Sequence, residues 1–96
     1  FVHWTPSSVP AYAPPNKHGV GGVDLSDAEQ VAEMFKNTPY AEWYWNSIKI
    51  EGSAARKHHL ERYGADHPYE RFVERFVAAS QGADVEAWAD LFARAG

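Results

Sequence analysis

Residues 40–45 (YAEWYW) place four aromatic rings around one carboxylate, Glu42, and a further pair, His3-Trp4, lies near the start of the chain. Flat aromatic faces pack against the C–H faces of sugars, and carboxylates and imidazoles hydrogen-bond hydroxyl groups. The first hypothesis is therefore a carbohydrate site. Hydrolysis of a glycosidic bond uses two carboxylates, and the sequence places no obvious second one beside Glu42.

The aromatic rings of residues 40–45 cannot all enter one core. On a helix, Tyr40 and Tyr44 share a face, whereas Trp43 and Trp45 point roughly 200° apart at about 100° per residue. At least one ring is therefore expected to be exposed or to line a cavity. A carboxylate among such rings needs a polar partner or a ligand, which favours a site over the alternative that the rings only fill a core.

His3 follows a short apolar run that has the character of a strand end, and it precedes a proline-rich loop over residues 6–22. The ends of strands are where α/β barrels hold catalytic and binding groups. His3 is therefore a candidate binding residue, with a purely structural role as the alternative.

A metal site is the next chemistry to consider. Its potential ligands are His58, His59, Glu61 and His67. Adjacent histidines lie about 100° apart on a helix, and no H-x-x-x-H pair is present. We therefore expect no metal and interpret this segment as a solvated helix face.

Motifs for nucleophilic catalysis and phosphate binding are also lacking. Ser7, Ser8 and Ser47 lie in no G-x-S-x-G motif, which argues against a catalytic triad. The glycine-rich residues 19–22 follow no strand and precede no P-loop lysine, which argues against a phosphate cradle.

Composition narrows the class of protein. The chain has 96 residues, which fit at most one small domain, and 45% of them are apolar. No apolar run approaches the roughly 20 residues that span a bilayer. The formal net charge is −4, with Lys and Arg scattered among acids, and cysteine is absent. Because nucleic acids require concentrated positive charge, we expect no nucleic acid as partner. The lack of a long apolar run leads us to expect no membrane partner. We also expect no cofactor.

Five helices are predicted behind the strand stub. The first begins at Ser26, whose spacing to Glu29 forms a capping box, and it ends before Pro39. The second runs from Pro39 to about Ile48, with Thr38 as its N-cap.

The last three helices have clear boundary signals. Ser53 caps the third, which ends near Tyr63 with Gly64 in a left-handed C-cap, while Pro68 opens the fourth and Asp84 caps the fifth. Apolar residues recur at helical spacing in the last two helices: Tyr69, Phe72, Val73, Phe76 and Val77, followed by Val85, Trp88, Leu91, Phe92 and Ala95.

Several of these motifs together resemble a known family. The order F-V-H-W, S-V-P-A-Y-A-P-P, Y-A-E-W-Y-W-N, H-H-L-E-R-Y-G and P-Y-E-R-F is similar to the N-terminal part of the α-L-fucosidases of glycoside hydrolase family 29. The most specific parts are F-V-H-W with its S-V-P loop, and E-W-Y-W-N. The chain departs from the family pattern at Thr5, where many members have glycine.

The resemblance implies an α/β fold, in which this chain is the N-terminal fragment of a (β/α)8 TIM barrel and is itself α-rich with a strand stub. Residues 1–96 would be a partial catalytic domain. Residues 1–4 would end the first barrel strand, residues 5–83 would form a long insertion over the active site, and residues 84–96 would be the first barrel helix. Both ends of the chain are accordingly expected to be cuts through a longer protein.

The resemblance also implies a retaining exo-glycosidase that hydrolyses terminal α-L-fucosides by double displacement. Its nucleophile Asp and its acid/base Glu are expected downstream, so that the fragment alone is inactive, although Glu42 could assist proton transfer. His3, Glu42 and Trp43 would bind the fucose of a fucosylated glycan or glycoside. Trp4 and Trp45 would support the pocket.

Two alternatives remain from the sequence. One is a non-enzymatic helical interaction module whose aromatic patch binds a glycan or a protein. The other is a hydrolase of barrel type that acts on a different sugar.

Overall fold

The computed structural model describes residues 3–15 and 22–96. Within them the protein contains α-helices and short 3₁₀ helices but no strand. The α-helices are α1 (Ala28–Lys36), α2 (Tyr44–Ser47), α3 (Ala54–Tyr63), α4 (Glu70–Ser80) and α5 (Val85–Ala95). The 3₁₀ helices are Pro6–Ser8 and Ala41–Trp43, and the second leads directly into α2. The first two residues of the predicted strand and the glycines at 19 and 21 lie outside the described residues.

The boundary signals of α3 and α5 are confirmed. The Ser53 side chain accepts the backbone N–H of Arg56, and Asp84 accepts that of Ala87. Gly64 follows α3 with φ of 83° and ψ of 174°. The predicted positive φ is therefore present, although the extended ψ leads the chain away from the helix and not into a left-handed turn.

The predicted start of the first helix at Ser26 is wrong. Asp27 is the N-cap, and its side chain accepts the backbone N–H groups of Glu29 and Gln30. Ser26 instead donates both its backbone N–H and its hydroxyl to Asp24. A carboxylate on each side thus moves the helix start beyond the serine.

The predicted second helix from Pro39 to Ile48 is also wrong in its extent. Tyr40 has extended backbone angles (φ −109°, ψ 119°), so helical geometry cannot begin at Pro39. Thr38 is buried and is not a cap. The segment forms a 3₁₀ turn followed by the four-residue α2.

A small aromatic core joins α2, α3 and α4. Its fully buried members are Tyr44, Ala55 and Phe72. Phe72 of α4 meets the rings of Tyr44, Tyr63 and Tyr69 edge-on, with centroids 6.0, 4.9 and 5.9 Å away. Edge-to-face pairs of this kind stabilise a core beyond the area that they bury, so Phe72 fixes the relative positions of three helices.

The molecule is a flat layer. Its extents are 46 × 39 × 15 Å and its radius of gyration is 16.3 Å, against about 12 Å for a compact domain of this length. A layer this thin has little interior, and the apolar side chains of α5 are exposed, including Leu91 at 53% and Phe92 at 50%. Among the described residues, no helix is long and apolar enough to cross a membrane.

Candidate functional site

His3 and Glu42, far apart in the sequence, are neighbours in the structure. His3 precedes the 3₁₀ helix Pro6–Ser8, which contacts the second 3₁₀ helix, Ala41–Trp43. This contact brings His3 Nδ1 to 3.3 Å from Glu42 Oε1. The candidate site therefore begins as an imidazole–carboxylate pair at the junction of two short turns.

The pair is open to solvent, because 60% of the His3 side chain and 34% of the Glu42 side chain are exposed. An exposed pair of this kind contributes only about 0–1 kcal/mol to stability. This distance is within hydrogen-bonding reach, and no other hydrogen bond joins either side chain to a described residue. The second carboxylate oxygen and the other ring nitrogen can therefore meet a polar ligand. The arrangement suits the binding of neighbouring hydroxyl groups more than the support of the fold.

The tryptophans near this pair have different surroundings. Trp45 stacks on Tyr69 with centroids 5.2 Å apart, and the Lys49 ammonium lies 4.0 Å from the centre of its ring. Trp4 packs edge-on against Trp88 at 4.9 Å. Trp43 is 44% exposed and stacks on no aromatic ring among the described residues, so both faces of its indole lack an aromatic partner there.

Trp4 also lines an open groove of about 430 Å³ between the proline-rich loop, α4 and α5. Arg75, Phe76 and Trp88 lie along the same groove, whereas the His3–Glu42 pair and Trp43 do not. The structure thus brings His3 and Glu42 together and places Trp4 in a separate aromatic contact.

Tyr44 anchors the turn that carries Glu42. Its side chain is 1% exposed, and its hydroxyl lies 2.9 Å from His59 Nδ1. His59 Nε2 lies 2.8 Å from the His67 carbonyl oxygen. A carbonyl can only accept, so Nε2 carries the proton, and Nδ1 accepts the hydrogen bond that Tyr44 donates. Burial raises the pKa of the Tyr44 hydroxyl well above its usual range, which keeps it a donor.

The interpretation of His58 and His59 as a solvated helix face is wrong. His59 is only 7% exposed, and both of its ring nitrogens have partners inside the protein. His58 is half-buried and stacks on Tyr12 with centroids 3.9 Å apart. This burial, and then the nearby Arg62 cation, lower the pKa of His58. The described residues contain no cluster of three potential metal ligands.

Ser7 anchors the loop that carries His3. It is buried, and its hydroxyl lies 3.0 Å from the Tyr69 hydroxyl. Ser47 is buried as well, and its carbonyl accepts the Ser53 hydroxyl at 2.6 Å. These serines therefore hold short turns in place.

The anchoring residues Tyr44, His59, Ser7 and Tyr69 were not recognised from the sequence as parts of the site. Each hydrogen bond joins residues from different elements, so helical or strand periodicity carries no signal for it. The one hint in the sequence was the helical spacing of the aromatic run, which places Tyr44 on a different face from Glu42.

The candidate site thus combines an imidazole–carboxylate pair with the exposed indole of Trp43, the residue that follows Glu42 in the sequence. The model of the alpha-L-fucosidase family matches residues 1–96, and the chain belongs to this family. It is similar to an alpha-L-fucosidase from Dictyostelium discoideum, with 35% identity over 65 residues that cover 65% of this chain. The match spans only 14% of that relative's length. No solved structure matches the chain.

Proposed function

We propose that the protein is an exo-glycosidase that hydrolyses terminal α-L-fucosides, and that this segment supplies sugar-binding residues. Family membership supports the substrate class. The observation that carries the role of the segment is the exposed pair of His3 Nδ1 and Glu42 Oε1, 3.3 Å apart.

The binding residues in this proposal are His3, Glu42 and Trp43. Glu42 accepts a hydrogen bond from one sugar hydroxyl and His3 engages its neighbour, while the exposed Trp43 offers an apolar wall or an indole N–H. Hydrogen bonds to a charged group are roughly twice as strong as neutral ones. The Glu42 contact is of this kind, and together with the His3 contact it fixes the orientation of the ring, which is what attack at the anomeric carbon requires.

The bond-breaking groups come from elsewhere in the protein. A retaining glycosidase uses two carboxylates about 5–5.5 Å apart, and Glu42 is paired with an imidazole. We place the nucleophile Asp and the acid/base Glu on later strands of a (β/α)8 barrel. In that barrel, residues 5–83 form an insertion over the active site and residues 84–96 the first helix. Glu42 assists proton transfer at most.

The test is the full-length enzyme on a panel of aryl glycosides. The α-L-fucoside is expected to be the preferred substrate. Glu42→Gln should lower kcat/KM by at least about fivefold, equivalent to about 1 kcal/mol for one lost charged hydrogen bond.

The matched control is Glu51→Gln, which removes the same charge from an exposed position outside the site. Equal kcat/KM for both variants would remove Glu42 from the binding site. Preference for another sugar would assign the protein to a different hydrolase, and turnover of no glycoside would favour an interaction module.

A further inference from the structure

Glu42 and Tyr44 point in different directions from one continuous turn. Glu42 is in the 3₁₀ helix Ala41–Trp43, and Tyr44 is the first residue of α2, which follows without a break. At three residues per turn, side chains two positions apart point about 120° away from each other. A rotation that moves the Tyr44 side chain therefore also moves the Glu42 carboxylate.

The Tyr44 side chain is fixed by packing and by one hydrogen bond. Its ring lies against Phe72 and His59, and its hydroxyl donates to His59 Nδ1 at 2.9 Å. His59 is held in turn by its bond to the His67 carbonyl, 2.8 Å away. The chain of contacts runs from α2 through α3 to the loop before α4, and its Tyr44 and His59 side chains are buried.

We infer that the Tyr44–His59 hydrogen bond is a positioning element that holds the Glu42 carboxylate in its sugar-binding orientation. This inference rests on the proposed binding role of Glu42. Tyr44 and His59 are positioning residues in this sense, since both are buried and face away from the solvent that the His3–Glu42 pair meets.

Packing of the Tyr44 ring alone does not suffice to hold the turn, because a ring without its hydroxyl would leave the buried His59 Nδ1 unpaired. Without the Tyr44 hydroxyl, His59 Nδ1 has no donor, and a buried polar atom without a partner is costly. We expect water entry or a rotation at the start of α2 to relieve that cost in a variant without the hydroxyl. Displacements on the order of 1 Å remote from the reacting atoms can cost about a hundredfold in rate.

The test uses Tyr44→Phe in the full-length enzyme, with kcat and KM measured on an aryl α-L-fucoside. Tyr63→Phe is the matched control, because Tyr63 packs on the same Phe72 ring and its hydroxyl bonds to no described residue. Tyr44→Phe is expected to lower kcat/KM up to about fivefold, no more than Glu42→Gln does and mainly through KM, as expected for a displaced ground-state contact. Tyr63→Phe is expected to change it less than twofold.

A double-mutant cycle with Glu42→Gln separates positioning from general destabilisation. If Tyr44 acts through Glu42, Tyr44→Phe has little further effect once the Glu42 charge is removed. Equal losses in both backgrounds would overturn the inference and leave the proposed function intact. No loss from Glu42→Gln alone would overturn the proposed role of Glu42 itself.

A second pair of variants decides the matter if Tyr44→Phe does not fold, as judged by circular dichroism. His59→Gln keeps one acceptor for Tyr44 and one donor for the His67 carbonyl, whereas His59→Leu keeps neither. His59→Gln is expected to retain most of the kcat/KM that His59→Leu loses. Equal kcat/KM in these two variants would contradict the inference.

Discussion

Single residues in the aromatic run differ sharply in their surroundings. Tyr44 is buried, whereas its neighbours Trp43 and Trp45 are close to half exposed. Helical spacing predicts that these rings cannot all enter one core, and the structure confirms that some of them are exposed. The buried ring is the one whose hydroxyl has a partner, which agrees with the cost of burying an unpaired polar atom.

The raised pKa of Tyr44 makes the stability of the protein depend on pH at the alkaline end. The folded-state value lies above the unfolded value of about 10, so folding favours the neutral hydroxyl. This contribution is complete below about pH 10 and is lost as the pH rises towards the folded value. We expect the free energy of unfolding, followed by circular dichroism, to fall with pH at the alkaline end. In Tyr44→Phe the slope of this free energy against pH should be smaller by the equivalent of one proton. Tyr40→Phe, which removes the hydroxyl of a side chain that is 54% exposed, should keep the wild-type pH dependence of stability. An unchanged pH dependence in Tyr44→Phe would contradict the assignment.

Elements bounded by local signals were predictable from the sequence. The Ser53 and Asp84 caps each act within three residues, so their side chains suffice to set the starts of α3 and α5. The start of α1 was misplaced because serine and aspartate at positions 26 and 27 are both good caps. The Asp24 side chain accepts hydrogen bonds from Ser26 and so leaves Asp27 as the cap. No helix-start motif in the sequence indicates this interaction.

The helix start gives a matched pair of variants. Asp27→Ala removes the acceptor of two backbone N–H groups and is expected to lower the free energy of unfolding by about 1 kcal/mol. Ser26→Ala removes only the hydroxyl bonded to Asp24 on the exposed surface and should cost a few tenths of that. Thermal unfolding of both variants measures the difference. A larger loss of unfolding free energy for Ser26→Ala than for Asp27→Ala would instead support the capping box predicted from the sequence.

Contacts between elements were largely beyond the sequence. The burial of His59 depends on Tyr44 and on the loop at His67, which converge only once α2, α3 and α4 have packed. The pairing of His3 with Glu42 was anticipated through the family resemblance and not through spacing. Their binding role stays a prediction.

The whole molecule exposes more surface than a compact protein of its mass. Its accessible area is 7196 Å², against roughly 5,500 Å² expected for a monomer of 10.8 kDa. The excess follows from the 15 Å thickness of the layer. The apolar stripe of α5 accounts for part of it, with Val85, Leu91 and Phe92 all at least half exposed. A stripe of this size is expected to be covered in the working protein.

Substitution of Leu91 by Lys should therefore have opposite effects in two settings. In an isolated polypeptide of residues 1–96, the exposed stripe drives self-association, and Leu91→Lys is expected to shift the species seen by light scattering towards monomer. In the full-length protein, we expect the same change to place a charge in a covered apolar contact and to lower the melting temperature by several degrees. Ala93→Lys adds the same single charge at an exposed position of the same helix, about 200° round from Leu91, and is the control for added charge. A full-length Leu91→Lys enzyme as stable as the wild type would show that the stripe faces solvent in the whole protein as well.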